Sequence, residues 1–295
     1  MTRRIVRLTV RLSMFSEAGI AGLPVAPALA PLNAALDRIR IVLVEASHPG
    51  NIGATARAIK VMGLTHLALV TPRYADALQH ADALAFASGA VDVLERTTIH
   101  ATLDEALADT THAIAMSARE REFSPPLLSL RDAAADAIVV ASRTPVDVVA
   151  FVFGSERYGL SNDDVLRCQA RCRIETSGVY GSLNLAQAVQ LVAYQCRLAA
   201  LAVNAFADSS TRALASSPAS SPASSPTLAS HDQREALIDH FEQALIAIGY
   251  LDPDAPKKLM PRLRRLFARA RLESEEAQWL RGIAKAMLRA TKSGS

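Results

Sequence analysis

Cysteine is scarce: three in 295 residues, an odd number, give no disulfide framework and point to reduced thiols and a cytosolic home. Cys168 and Cys172 are four apart, but no second Cys or His pair lies nearby, so helix packing outranks a metal site. No apolar run reaches about 18 residues without a polar break, which excludes a membrane-spanning helix. The best candidate, from Leu183 to Phe206, contains Asn184, Gln187, Gln190, Gln195 and Arg197 and reads as a buried or interface helix. Common site fingerprints are also missing. No G-x-G-x-x-G follows the first strand-like run, which removes the dehydrogenases and Rossmann-type methyltransferases. Gly154 and Gly159 have P-loop spacing, but Leu160 stands where the lysine is required. Neither G-x-S-x-G nor H-E-x-x-H occurs.

What remains is a globular composition, 50% apolar and 21% charged with only 5% aromatics, enough for one large domain or two smaller ones. The net charge of +3 is unevenly spread. Residues 1–36 carry +3, residues 37–206 carry −3, and residues 230–295 carry +3.

Four regions follow from composition and periodicity. Residues 1–36, with Arg3, Arg4, Arg7 and Arg11 ahead of Pro24, Pro27 and Pro31, fit the rest poorly and read as a disordered or mis-assigned extension. Residues 37–206 alternate strands and helices, the pattern of a parallel sheet covered on both faces. The expected strands are Ile39–Glu45, His66–Thr71, Thr111–Met116, Val146–Phe153 and Arg171–Glu175. Helices are expected at Asn51–Met62, Ala75–Ser88, Thr102–Ala108, from Asn162, and from about Ser182 to Phe206. Residues 207–230 hold nine Ser, six Ala and three Pro, with Ala-Ser-Ser-Pro three times in succession, and read as a flexible linker. Residues 231–292 read as three helices, Arg234–Ile248, Lys258–Ala270 and Ser274–Ala290, with Ser274 as a cap for the last.

Three segments at strand ends carry candidate chemistry. Ser47-His48-Pro49-Gly50-Asn51-Ile52-Gly53 leads into a helix that bears Arg57; Asn51 is a candidate cap and Gly53 permits close backbone approach. Phe153-Gly154-Ser155-Glu156-Arg157-Tyr158-Gly159 puts a carboxylate in a glycine-bounded loop, suited to a ligand with amine or hydroxyl donors. Tyr180-Gly181-Ser182-Leu183-Asn184 opens the long helix, whose free N–H groups suit an anionic or polar group. Taken singly, each is also a turn or a cap.

In this order and spacing the three segments resemble the motifs of the SPOUT superfamily of RNA methyltransferases. The run Ile39-Arg40-Ile41-Val42-Leu43-Val44-Glu45, the tripeptide Ser117-Ala118-Arg119 and the tail from Lys258 to Ala270 are similar to the TrmJ family. Those enzymes are tRNA (cytidine/uridine-2′-O-)-methyltransferases acting at position 32 of the anticodon loop. The resemblance covers about residues 37–206 and 231–290. It implies a parallel α/β sheet with a C-terminal trefoil knot, plus a small all-α domain. Nothing in the periodicity shows a knot.

By the same resemblance S-adenosylmethionine is held by Met116, Ser117, Ala118, Gly154, Ile174, Gly181, Ser182 and Leu183. The family often has Thr in place of Met116 and Ser in place of Gly181, changes that backbone contacts survive. Arg57 matches the catalytic arginine, supported by Ser182 and Asn51, with Tyr180 near the target nucleotide. Arginine is a poor general base, so positioning of the ribose suits Arg57 better. Glu156 is expected to shape the loop or a dimer contact. Family members are homodimers in which Arg57 of one subunit serves the partner's cofactor, and no metal is required.

The basic tail points to RNA independently. From Lys257 to Arg271, seven of 15 residues are Lys or Arg and none is acidic, with Lys257, Lys258, Arg262, Arg264, Arg265 and Arg269 the candidate phosphate contacts. The competing readings are a knotted enzyme for rRNA or another tRNA position, a non-catalytic RNA-binding protein with this fold, and a small-molecule methyltransferase. The last leaves the basic tail without a purpose.

Overall fold

The computed structural model describes residues 34–177, 179, 181–213 and 226–293. The expectation for the first 36 residues lies outside them up to residue 33; Ala35 and Leu36 are buried against the core. Half of the serine-rich segment, residues 214–225, also lies outside.

Seven strands form one wholly parallel sheet: β1 (Ile39–Val44), β2 (His66–Val70), β3 (Thr98–His100), β4 (His112–Met116), β5 (Leu127–Ser129), β6 (Val149–Phe153) and β7 (Ala170–Arg173). Their order across the sheet is β3-β2-β1-β6-β4-β7-β5. The central strands are apolar on both faces, as burial from two sides demands. Every residue of β6, Val-Ala-Phe-Val-Phe, is buried. Alternation sorts the side chains. Ile39, Ile41, Leu43, Ile114, Val149, Phe151 and Phe153 share one core cluster, and Val42, Val44, Ala113, Ala115, Ala150 and Val152 share the other.

The first face is covered by α1 (Pro49–Met62), α2 (Ala81–Ala87), α3 (Val91–Glu95), α5 (Leu130–Arg143) and α7 (Leu185–Ala213); the second carries α4 (Leu103–Leu107) and α6 (Asn162–Arg167). α1 begins two residues before the expected Asn51, because Pro49 occupies its first turn and needs no N–H partner there. It ends at Gly63, whose φ of 86° closes the helix. Of the helix expected over Ala75–Ser88, only Ala81–Ala87 forms, after the His80 side chain caps it. α7 begins at Leu185, later than expected, and continues to Ala213. Cys168 follows α6 and Cys172 lies in β7, so the expected helix pairing of the two is replaced by burial at separate places.

The remaining helices are α8 (His231–Ala247), α9 (Leu259–Ala270) and α10 (Ser274–Ser293). Their own core is small: Ala229, Leu237, Ile238, Phe267, Leu272 and Ala277. Ser230 and Gln233 form a capping box at the start of α8. Ser274 does not cap α10; its hydroxyl accepts from Gln233 Nε2 at 2.8 Å, and the Glu276 carboxylate accepts from Glu273 N at 2.9 Å instead.

Polar contacts dock these helices on α4 and α6 of the second face and on α5 at the sheet's edge. His231 Nε2 lies 2.8 Å from Asp104 Oδ1, which also accepts from Arg167 Nε at 2.7 Å. Arg271 donates to Asp136 at 2.5 Å, beside the buried His112, whose Nε2 stands 3.2 Å from the same carboxylate but out of line for a hydrogen bond. The buried Arg234 guanidinium donates to the carbonyls of Thr111, at 2.9 Å, and Ala229. Burial pulls its pKa down to about 10.

Candidate active site

The carboxyl ends of β6, β4 and β7 come level, with Met116 in register with both Phe153 and Cys172. The loops that leave these strands enclose a cavity of about 220 Å³ at the point where the late strands flank β4. Met116, Ser117, Ala118, Gly154, Ile174, Gly181 and Leu183 all line it, seven of the eight expected cofactor residues. Ser182 is exposed and does not. Tyr180 lies outside the described residues.

Gly154 is required by packing. A Cβ there would sit 2.0 Å from the Gly159 carbonyl carbon and 2.2 Å from Leu160 N. The loop folds back on itself through a Gly159 N–H donated to Ser155 O at 2.9 Å. At the first motif, a Cβ on Gly53 would lie 2.0 Å from the Ala83 carbonyl oxygen, so its close approach is to α2.

Glu156 ties the three motifs together. Its Oε2 accepts from Ser47 N at 2.9 Å and Ser47 Oγ at 2.7 Å. Its Oε1 accepts from His48 N at 3.3 Å and Asn51 Nδ2 at 2.8 Å. Burial alone would raise its pKa, but the bonds from Asn51 and Ser47 outweigh burial and hold it below the usual carboxylate value. The carboxylate is thereby filled by donors from its own chain, not left for a ligand's. Asn51 Oδ1 in turn accepts from Asn184 Nδ2 at 2.9 Å. Asn51 is therefore a tether between loops and not a helix cap; the cap position falls on His48, whose side chain makes no capping bond. Asn184 is the cap of α7, its Oδ1 accepting from Ala186 N at 2.9 Å and Gln187 N at 3.4 Å, so this helix start is not left free for an anion.

Arg121, a residue the sequence reading passed over, holds the other wall. It donates to Ser117 Oγ at 2.8 Å, Asn162 Oδ1 at 2.6 Å and Leu160 O at 2.8 Å. Behind this wall a wider hollow of about 950 Å³ includes Thr71, Arg119, Arg121, Tyr158 and Asn162, and Gly159 borders both spaces.

Arg57 is exposed on α1, has no hydrogen-bond or ion-pair partner among the described residues, and does not line the cavity. On the tail, Lys257, Arg262, Arg265 and Arg269 are exposed and have no carboxylate partner among the described residues. Lys258 pairs with Glu122 at 2.5 Å and Arg264 with Glu235 at 2.6 Å. Lys258 and Arg262 also lie 5.5 and 5.9 Å from the centre of the Phe123 ring.

The cavity suits a nucleoside with a positive centre. Met116, Phe153, Ile174, Leu183 and Leu185 offer apolar surface, the strand ends offer backbone groups, and no lysine or arginine lines it. Among the described residues no cluster of His, Cys, Asp or Glu could hold a metal, and no helix is long and apolar enough to cross a membrane.

Comparison with known proteins agrees with this geometry. The SpoU rRNA methylase family matches residues 38–194, and the C-terminal domain of the tRNA methyltransferase TrmJ matches residues 232–295. The tRNA (cytidine/uridine/adenosine-2′-O-)-methyltransferase TrmJ of Pseudomonas aeruginosa is 42% identical over 248 residues, covering 84% of this chain and 93% of that protein. The tRNA (cytidine/uridine-2′-O-)-methyltransferase TrmJ of Salmonella typhimurium is also 42% identical, with 84% and 95% covered. The crystal structure of TrmJ from Z. mobilis superposes with a TM-score of 0.68 at 30% identity, over 84% of this chain and 98% of that one. The strand-end cavity, the three tethered motifs and the basic helical tail thus have one source: the chain belongs to the TrmJ family of SpoU-type methyltransferases.

Proposed function

We propose that this chain is an S-adenosylmethionine-dependent tRNA 2′-O-methyltransferase whose target is the ribose of cytidine or uridine at position 32 of the anticodon loop. The observation that carries the reading is the cavity where three in-register strand ends meet, lined by seven of the residues the family resemblance assigns to the cofactor. When bound, the cofactor supplies an activated methyl group, so the reaction needs no metal. Met116, Ser117, Ala118, Gly154, Ile174, Gly181 and Leu183 hold it, with Ser182 on the rim. The loops that follow β6 and β7 are the segments expected to form the trefoil knot.

The protein's work is to position its substrate. Glu156, Asn51 and Asn184 fix the loops against one another. Arg57 is exposed and unpaired, free to bind phosphate and orient the ribose hydroxyl. It stands outside its own cavity wall, which suits service to the cofactor of a second subunit. Leu191, Tyr194, Leu198 and Leu201, each 39–46% exposed along α7, give that homodimer an apolar face. Tyr180 is assigned to the target nucleotide. The six cations Lys257, Lys258, Arg262, Arg264, Arg265 and Arg269 grip RNA phosphates, and the enzyme works in the cytosol, where its tRNA is.

The test is incubation with S-adenosylmethionine and unmodified tRNA transcripts, with ribose methylation mapped by mass spectrometry of nuclease fragments. Methyl at nucleotide 32, absent with Arg57→Ala, is the expected result. Methyl elsewhere, or on rRNA alone, moves the substrate, and failure to bind S-adenosylmethionine overturns the enzyme.

A further inference from the structure

The cations considered so far belong to α9 and the turn before it. A second set stands on α10. Arg281, Lys285 and Arg289 follow one another at intervals of four residues, about 6 Å of helix rise per step, and so share one face. That face forms one side of a groove of about 700 Å³, whose other wall includes His240 of α8. Gln278, Gly282 and Leu288 complete the lining, and no acidic side chain is present. The groove shares no residue with the cavity or with the wider hollow beside it.

Two features distinguish this face from an ordinary solvated one. Cations near a helix C-terminus complement its dipole, but only over the last turn. That explains Arg289 in part and leaves Arg281, three turns from the end, without a reason. Arg281 also has no carboxylate partner among the described residues: its Nε donates to a ring nitrogen, His240 Nδ1, at 3.2 Å, so no anion offsets the guanidinium at the groove floor. The acidic residues of α10, Glu275 and Glu276, are confined to its first turn. Gly282, exposed and with nothing within 4 Å of a Cβ built on it, keeps the space between Arg281 and Lys285 open.

We propose that the α8–α10 groove is a second site for the RNA phosphate backbone, with Arg281 and Lys285 neutralising phosphates beyond those held by α9. This rests on the reading of the chain as an enzyme acting on RNA. A protein of this size then holds its substrate along two tracks of the helical domain, and the α10 track contributes affinity without touching the chemistry.

The experiment is equilibrium binding of the full chain to a fluorescent unmodified tRNA transcript, and to an unstructured RNA homopolymer, at a series of NaCl concentrations. Each phosphate neutralised contributes about −0.7 to −0.9 to the slope of log K against log salt. The double variant Arg281→Gln/Lys285→Gln is expected to bind tRNA about tenfold more weakly, with the slope shallower by about 1–2. Its kcat at saturating tRNA and its thermal melt should match wild type. An unchanged affinity and slope, alongside a loss with Arg265→Gln/Arg269→Gln, overturns the groove while leaving the tRNA reading in place. Weaker binding with an unchanged slope also overturns it, since charge would then not be the cause. A wild-type chain that methylates no tRNA overturns the functional reading instead; the slope with the homopolymer still judges the groove.

Discussion

The strand-end cavity and the helical tail are built by opposite means. Around the cavity, position is set by contact: a glycine where no Cβ fits, three strand ends in register, and a carboxylate with four donors from the β1–α1 loop and the first turn of α1. The tail gathers only a small apolar cluster for its own core and is held to the sheet domain largely by Asp104, Asp136, Glu122 and the buried Arg234. Packing resists displacement over tenths of an ångström, whereas ion pairs tolerate movement and respond to salt and pH. A methyl transfer needs the first kind of precision, and gripping a polyanion needs only the second.

The comparison breaks most sharply at Gly154. Gly154→Ala places a Cβ 2.0 Å from backbone that cannot yield without reopening the loop. The expected loss is about 3 kcal/mol or more of stability, with cofactor binding abolished, checked by thermal melting and calorimetry. Gly159→Ala is the control. Nothing lies within 4 Å of a Cβ there, but φ is 68°, so the change costs only about 1 kcal/mol. Equal effects at the two positions would mean that the loop is not set by packing.

Glu156→Gln comes next. The amide keeps the shape but turns one acceptor into a donor facing either the Ser47 pair or the His48–Asn51 pair. A loss of about 2–3 kcal/mol is expected, read as a roughly 30- to 150-fold weaker affinity for S-adenosylmethionine, with any binding of RNA by the tail unchanged. Unchanged cofactor affinity would show that the tether is dispensable.

These two sites also show what a sequence can and cannot disclose. β1, β2, β4 and β6 were legible because each is an apolar run between turn residues; β7, Ala-Arg-Cys-Arg, is not one, and it starts and ends earlier than the expected Arg171–Glu175. β3 and β5 are three residues long, too short for a pattern to rise above its surroundings. α5 opens directly from β5 and was not expected, although Ser129 caps it by accepting from Asp132 N; its Ala-rich run lacks the large apolar residues that make a helical period visible. The residues lining the cavity were named only through the family resemblance that the three motifs carry; Met116, Ser117, Ala118 and Ile174 lie outside those motifs, and no spacing pointed to them. The role of Asn51 was not legible, because its partners Glu156 and Asn184 lie 105 and 133 positions away. The same is true of the tail's docking: Asp104 and His231 are 127 residues apart, and neither belongs to a motif.

The tail should yield to acid before the sheet does. The hydrogen bond from His231 and the ion pair with Arg167 hold the Asp104 carboxyl far below the usual range. Burial pushes Asp136 up, but His112 and Arg271 outweigh it and hold it at about 2. For a depressed carboxylate the stabilisation is complete above its ordinary value near 3.8 and is lost as pH falls toward the folded value, because the undocked state then binds the proton. His112 acts in the same direction at higher pH. Burial lowers its pKa, so below about 6.5 the exposed form takes up the proton first. Proteolysis near residues 226–230 should therefore accelerate as pH falls below 6.5, and again below 4, while near-ultraviolet circular dichroism of the sheet domain persists. A single transition shared by both would show that the two regions unfold as one.

The smallest effect is expected at Lys258. Its pair with Glu122 is exposed on both sides, with 54% and 64% of the side-chain surfaces accessible, and such pairs contribute about 0–1 kcal/mol. Lys258→Ala should leave the melting temperature within error. On the proposed function its consequence is for RNA: a phosphate competing for the ammonium would displace Glu122, so the docking contact and an RNA contact would be alternatives. Lys258→Ala should then shift tRNA affinity less than Arg265→Ala, which has no pair to break. Glu122→Gln should raise affinity by about twofold at low salt and have no effect at high salt, where both interactions are screened. A Glu122→Gln variant with unaltered affinity at every salt concentration would place Lys258 in docking alone and shorten the α9 track by one cation.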